Sequence, residues 1–261
     1  MDGNRLGGGN DGGAVLVGRT VRRRVRAWTA SVHELLRHLE RKGFEGAPRV
    51  LGIDSAGREI LTYMDGDTIG DRSEWPEWTR TDDTLVQVAE WLRAYHEAVA
   101  DFVPSADAYW RTGAQWSPGT IIGHNDAGPC NAAWRSGRLA GFFDWDFAGP
   151  TTVDSDVAWL ALCWVPLHAR DVAASEGFTD YEARPARLRL FLETYGWTGD
   201  PEILIRDIQE RMRVRAAQIR RLGVGGEELY ARLLRRGVAD DLDRAVRELD
   251  DFCAVISGIT A

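Results

Sequence analysis

The chain is poor in cysteine. Cys130, Cys163 and Cys253 are the only three in 261 residues, and no two of them form a Cys-x-x-Cys pair. That spacing excludes a disulfide framework and a thiolate zinc site, and it leaves the cysteines as small buried hydrophobes. Long apolar runs are missing as well. None approaches the ~18 residues that span a bilayer, and Met1-Asp2-Gly3-Asn4-Arg5-Leu6 is not a basic segment followed by an apolar one. The expectation is a cytoplasmic protein with no membrane partner. A basic excess is also absent. The formal net charge is −8, which argues against nucleic acid, because phosphate backbones favour a basic face. The same charge is compatible with a cationic small molecule. The chain contains no internal repeat, its length is comfortable for two lobes, and nothing in it bears on oligomeric state.

What is present is concentrated in one stretch. Ile121-Ile122-Gly123 leads into His124-Asn125-Asp126, Asn131 follows Asp126 by five, and after a short hairpin Leu139-Ala140-Gly141-Phe142-Phe143 leads into Asp144-Trp145-Asp146. Two carboxylates and an amide thus stand at strand ends. Phosphoryl transfer needs such parts: a carboxylate to orient or deprotonate an attacking hydroxyl, and hard oxygen ligands to hold Mg²⁺ on the phosphates. Asp126 is the candidate base; Asn131 and Asp144 are the candidate metal ligands. The plainer alternative is a pair of Asp-tipped loops in an unrelated α/β protein.

The His-x-Asp-x-x-x-x-Asn spacing follows the His-Arg-Asp catalytic loop of protein kinases, and Asp144-Trp145-Asp146 stands where kinases have Asp-Phe-Gly. The middle Arg of the first motif and the Gly of the second are absent. The combination resembles the aminoglycoside phosphotransferase family, small-molecule relatives of protein kinases that include choline-kinase-like enzymes. The resemblance is sharp from about Ile121 to Trp159. It implies an α+β, two-lobed protein-kinase-like fold. A small β-rich N-lobe with one helix would occupy residues 1–65 and a larger, mostly helical C-lobe residues 66–261. It also implies Mg²⁺-dependent transfer of the γ-phosphoryl of ATP or GTP to a small-molecule hydroxyl, with an aminoglycoside-type antibiotic as the leading acceptor. Choline, amino alcohols, sugars and macrolides are alternatives, and a catalytically inactive, kinase-shaped binding protein is the rival from another class. Asp126 and His124 would then be catalytic, and Asp156 would prop the loop through His124.

The N-terminal stretch matches Gly-x-Gly-x-x-Gly at Gly7, Gly9 and Gly12. With Gly8 and Gly9 at its centre it is either a loop over the nucleotide phosphates or a glycine-rich tail. Val15 to Val25 reads as a hairpin turning at Gly18-Arg19. In the family the second arm carries a lysine for the phosphates, whereas this arm holds only Arg22, Arg23 and Arg24. Period-two alternation puts Arg23 on the same side as Val21, which makes Arg23 the candidate. Thr29 to Ser31 caps a helix with Val32, Leu35, Leu36 and Leu39 on one face, ending at Gly43. Glu34 and His33 lie near the place of the kinase helix glutamate, and neither aligns cleanly. A second hairpin, Arg49 to Met64, ends at Tyr63, Met64 and Asp65, the candidate hinge against the purine. His96 reads as a structural histidine on a helix opening near Asp82. Residues 104–118 show no chemistry. Acidic groups at Glu227-Glu228 and Asp240-Asp241-Asp243 are candidates for a polycation, and helices after Leu167 break at Gly177, Gly196, Gly223 and Gly237.

Overall fold

The structure is a computed structural model that describes residues 4–6, 13–70 and 74–257. Gly8 and Gly9, with the rest of the glycine motif, lie outside the described residues. By packing, the chain forms two compact units, Met1–Arg72 with Gln87–Asp156, and Ser73–Val86 with Val157–Ala261. Packing places the N-terminal sheet and the hairpin of residues 132–142 in one unit.

The first unit is built on an antiparallel sheet of strands β1 (Asn4–Arg5), β2 (Val15–Val17), β3 (Thr20–Arg24), β4 (Val50–Ile53) and β5 (Arg58–Thr62), in the order β1-β2-β3-β5-β4. Gly18, at φ 61°, makes the β2–β3 turn where the sequence places it. The β3–β5 register sets Val21 opposite Leu61 and Arg23 opposite Glu59. Helix α1 (Thr29–Arg41) buries Val32, Leu35, Leu36 and Leu39, the i, i+3, i+4, i+7 set, and closes at Gly43 with φ 72°. Thr29 and Ser31 do not cap it by side chain. Thr29 Oγ1 instead accepts from Arg26 N, and Ser31 Oγ accepts from Tyr109 N, tying the 104–118 segment to the helix.

Two short ribbons carry the motifs. Strand β6 (Ile121–Gly123) pairs with β9 (Gly149–Thr151), and β7 (Ala132–Arg135) pairs with β8 (Arg138–Phe142). Ser136 and Gly137 both have positive φ, 52° and 75°, as a two-residue hairpin turn matching the strand twist requires. The β7–β8 ribbon is fixed from several sides. Asp67 and Trp134 exchange backbone hydrogen bonds of 2.6 and 2.9 Å, and Phe142 N donates to Gly46 O at 3.1 Å. Helix α2 (Asp82–Val99) supplies Trp91, whose Nε1 also donates to Gly46 O. Trp91 stacks on Tyr95 and meets Phe142, and Tyr95 in turn meets Trp145, so an aromatic core lies directly beneath both motifs.

The second unit is helical. It holds most of α3 (Val153–Trp164), then α4 (Arg170–Ser175), α5 (Arg184–Tyr195), α6 (Pro201–Val224), α7 (Glu228–Arg235) and α8 (Val238–Ser257). Leu204, Ile205, Ile208, Met212, Ala216 and Ile219 form the buried stripe of α6. Gln209 crosses from that helix to donate to Val246 O and Asp250 Oδ1 at 2.9 and 2.8 Å. Gly177, Gly196 and Gly237 end helices at positive φ, as expected. Gly223 does not. It stays inside α6, where a Cβ would lie 2.9 Å from Tyr230 O, so its value is close approach rather than helix breaking. Among the described residues, no helix is long and apolar enough to cross a membrane.

Gly141 is the tightest point of the β7–β8 ribbon. It has φ 135°, and a Cβ there would run into Gly46 O and come within 2.6 Å of Met64 Cε. Gly141→Ala is expected to cost about 2 kcal/mol or more, read as a fall in the urea midpoint. An unchanged midpoint would show that the Gly46 segment yields freely.

Candidate active site

Arg23 is the centre of the site. It points from β3 toward Glu59, its cross-strand partner on β5, and Nε donates to Glu59 Oε1 at 2.7 Å. Nη1 lies 3.2 Å from Asp144 Oδ1 and Nη2 lies 2.7 Å from Asp146 Oδ1, so each nitrogen of the fork faces a different carboxylate. Burial alone would lower the arginine's pKa. The charges of Asp146, Glu59 and Asp144 outweigh it and raise the pKa above the ordinary value, so this cation is permanent. Asp144 moves the other way for a carboxylate. Desolvation, and then repulsion from Asp146, push it above the usual range, and Arg23 offsets only part of that.

Behind Arg23, Glu59 is 1% exposed and its second oxygen, Oε2, lies 2.8 Å from His33 Nε2 on α1. An ionised carboxylate only accepts, so His33 is the donor. In front, Arg111 Nη1 lies 3.6 Å from Asp146 Oδ2, and its guanidinium sits 4.8 Å from the Trp28 ring and 4.5 Å from the Phe147 ring. Sequence reasoning overlooked Arg111, because residues 104–118 show no periodicity. It overlooked Glu59 because the carboxylate comes from a strand rather than from the helix. Glu34, on the helix, instead accepts from Ser105 N and Oγ at 3.2 and 2.9 Å. One signal was available: Lys42 is the only lysine in the sequence, and it pairs with Asp101, so any phosphate cation must be an arginine. Of the others on β3, Arg22 faces Asp54 at 3.5 Å and Arg24 is exposed.

The catalytic loop is tied to the Asp144 loop through His124. Its Nδ1 accepts from Asp126 N at 3.3 Å and its Nε2 meets Phe143 O at 3.2 Å, which fixes the tautomer protonated at Nε2. The ring is fully buried against Trp145, at 4.4 Å between centroids, and burial pushes its pKa down to about 4. His124 is therefore a neutral strut and not a proton carrier at pH 7. Asn131 Nδ2 donates to Asp126 O and Oδ2 at 2.8 and 2.9 Å, and Phe143 N donates to Asn131 O at 2.9 Å. Asp126, Asn131 and Asp144 thus hang on one connected set of bonds at one end of the β7–β8 ribbon. Asp144 itself sits at φ 59°, ψ 64°, a left-handed conformation that costs a non-glycine residue of order 1 kcal/mol. Asn125, at the place of the kinase Arg, is also left-handed, and its Nδ2 donates to Gly149 O at 3.1 Å.

Asp156 does not prop His124 by a direct hydrogen bond. Both His124 nitrogens are already engaged, and Asp156 Oδ2 lies 3.1 Å from His96 Nε2. His96 is thus a buried structural histidine. The α3 N-terminus is capped by Thr152, whose Oγ1 accepts from Ser155 N at 3.1 Å. Tyr63, Met64 and Asp65 follow β5 directly, and Tyr63 N donates to Arg19 O at 2.9 Å. Met64 is half-buried, its Cε 2.6 Å from where a Cβ on Gly141 would stand.

Among the described residues no group of three or more His, Cys, Asp or Glu side chains could hold a metal. Mg²⁺ does not ask for one, since it takes one or two protein oxygens and completes its shell with water and phosphate. The Asp144 carboxylate, a third exposed, and the Asn131 amide oxygen, unused in the bonds above, are hard donors of that kind.

A sheet carrying an inward cation, followed by a catalytic loop and an Asp-tipped ribbon, is a kinase-like α+β fold. The chain matches the family described as "Phosphotransferase enzyme family" over residues 72–191. It is 36% identical over 186 residues to the trifolitoxin immunity protein of Rhizobium leguminosarum bv. trifolii, covering 69% of this chain and 68% of that one. Its fold is similar to an amicoumacin kinase, hAmiN, solved with AMP-PNP, Ca²⁺ and amicoumacin, at TM-score 0.59 and 11% identity over 87% of this chain and 84% of that one. The gentamicin complex of APH(2'')-IIa aligns at TM-score 0.55 and 16% identity over 91% and 89%. The chain belongs to the aminoglycoside phosphotransferase family.

A buried neutral histidine makes stability depend on pH. The folded pKa of His124, about 4, lies below the unfolded value, so protons favour the unfolded chain. The contribution is fully present above about pH 6.5 and is lost as pH falls toward 4, to a limit of ~3 kcal/mol. His168, pushed down to about 4 by burial, adds a second such loss. Unfolding midpoints at pH 7, 5.5 and 4.5 should therefore fall less steeply in His124→Gln than in the native chain. Parallel slopes would remove His124 as a source.

Proposed function

We propose that the chain moves the γ-phosphoryl of ATP or GTP to a hydroxyl of a small molecule, with Mg²⁺, in the cytoplasm. The observation that carries this reading is the bonded set Asp126–Asn131–His124–Phe143–Asp144 beside the Arg23 guanidinium, which supplies a base, metal ligands and a phosphate cation at one ribbon end. Asp126 orients the acceptor hydroxyl and takes its proton as the oxygen bonds to the γ-phosphorus and the bond to the β–γ bridging oxygen breaks. Asn131 and Asp144 would hold Mg²⁺, which neutralises phosphate charge when bound. Arg23 neutralises the remaining phosphate charge, and Tyr63 to Asp65 line the purine. The protein's part is positioning and electrostatics, with no covalent intermediate.

An antibiotic acceptor, of aminoglycoside type first, is the favoured class, because the relative at 36% identity is an immunity protein and one solved structure of similar fold is a gentamicin complex. The acidic groups on α8 give no special support for a polycation. Arg220 pairs Asp240 and Asp243 at 2.6 and 2.7 Å, and Arg244 pairs Asp241 at 2.6 Å. A phosphoryl-transfer screen should therefore span aminoglycosides, macrolides, sugars, choline and amino alcohols, with ATP and GTP each as donor. Turnover of any acceptor excludes an inactive binding protein, and nucleotide binding without turnover of any of them would favour one.

With an acceptor in hand, Asp126→Asn should lower kcat by about 10²–10⁴-fold and change nucleotide affinity little, because the metal ligands remain. Collapse of nucleotide binding instead would move Asp126 into the metal site. Asp144→Asn should abolish Mg²⁺-supported turnover. Arg23→Ala should weaken nucleotide binding more than Arg22→Ala or Arg24→Ala, and three equal, small effects would dismiss β3 as the phosphate strand.

A further inference from the structure

Arg23 has three nitrogens that face carboxylates, and one of those partners is unlike the others. Asp144 and Asp146 belong to the loop where phosphates and metal would bind. Glu59 belongs to the sheet, is 1% exposed, and meets Arg23 through Nε alone. A bond at Nε fixes the torsion that decides where Nη1 and Nη2 point. Glu59 in turn would be free to rotate about its own carboxyl torsion, except that its second oxygen is held by His33, itself 5% exposed on α1. The helix carboxylate that performs this office in protein kinases has no counterpart here, since Glu34 is spent on Ser105.

We propose that Glu59 and His33 are positioning residues that aim the two terminal nitrogens of Arg23 at the nucleotide phosphates, the helix supplying a histidine and the strand the carboxylate. This rests on the phosphotransferase reading above. Without Glu59 the guanidinium turns fully toward Asp144 and Asp146 and is lost to the nucleotide. Without a donor at position 33, one oxygen of a buried carboxylate is left unpaired and its hold on Nε loosens. A hydrogen bond to a charged group at such a site is worth about 10- to 100-fold in an equilibrium.

The experiment is calorimetry of a non-hydrolysable ATP analogue with Mg²⁺ on the full chain, with melting temperature recorded for every variant. Glu59→Gln and His33→Leu should each raise the dissociation constant about 10- to 100-fold, and His33→Gln, which keeps a donor, should recover most of the affinity. Built on Arg23→Ala, His33→Leu should add no more than about twofold, because nothing remains to be aimed. A purely structural role predicts a lower melting temperature with unchanged affinity, and that result overturns the proposal. So does an effect of His33→Leu that is undiminished in the Arg23→Ala background. Should Glu59→Gln fail to fold, the two His33 variants and their cycle with Arg23 decide the question without it. Failure of the native chain to bind nucleotide at all would overturn the phosphotransferase reading, and the proposal with it; native binding with an unaffected His33→Leu overturns the proposal alone.

Discussion

One guanidinium balances the site. Glu59, Asp144 and Asp146 converge on Arg23, two of them within 2.7 Å, and Arg111 contributes a second positive charge at 3.6 Å from Asp146. Carboxylates this close repel one another by several kcal/mol at the effective dielectric of a partly buried site. The pKa of Asp144 is raised first by desolvation and then by the charge of Asp146, and the arginines offset only part of that rise. The β3–β5 register, the burial of Glu59 and the left-handed turn at Asp144 are the means by which the backbone brings these groups to a common point.

The motifs were legible because they are local. His-x-Asp-x-x-x-x-Asn and Asp-Trp-Asp each fit within one loop, where spacing alone fixes what is near what, and a two-residue turn at Ser136-Gly137 joins the strands between them. Alternation along β3 singled out Arg23 for the same reason: facing is a local property of a strand. The partners of Arg23 were not legible in that way. Glu59 reaches it only through cross-strand register, and Arg111 only through a loop whose course depends on Ser31 and on the rings of Trp28 and Phe147. Period and spacing say nothing about contacts between segments that are distant in sequence. The Asp156 expectation failed for a related reason. A motif position predicts that a buried carboxylate is present, while the choice between His96 and His124 as its partner is settled by packing.

His124 shows how a residue kept by the motif serves a structural end. With one ring nitrogen accepting from the backbone at Asp126 and the other donating to the backbone at Phe143, just before Asp144, it couples the two Asp-bearing loops by geometry. Any charge on the ring would abolish one of those two bonds, since an imidazolium only donates. Burial against Trp145 and the aromatic core keeps the ring neutral at pH 7, so the wider Trp side chain in place of the kinase Phe seals the strut from water.

The exchange of lysine for arginine then follows from the same electrostatics. A lysine ammonium is a compact point charge, and a carboxylate that anchors it competes directly with the phosphate for its few donors. Arginine separates the two tasks along a rigid plane. Nε serves the anchor, Glu59, while Nη1 and Nη2 neutralise Asp144 and Asp146. A planar fork of this kind no longer needs a carboxylate projected from α1. It needs one beside Nε, and the strand paired with β3 is the nearest source of it. The arginine on β3 and the carboxylate on β5 in this sense go together. Because Nη1 and Nη2 already neutralise the loop carboxylates, on the proposed phosphotransferase reading incoming phosphates would compete with Asp144 and Asp146 for them, and a divalent cation held by Asp144 would release what the phosphates take.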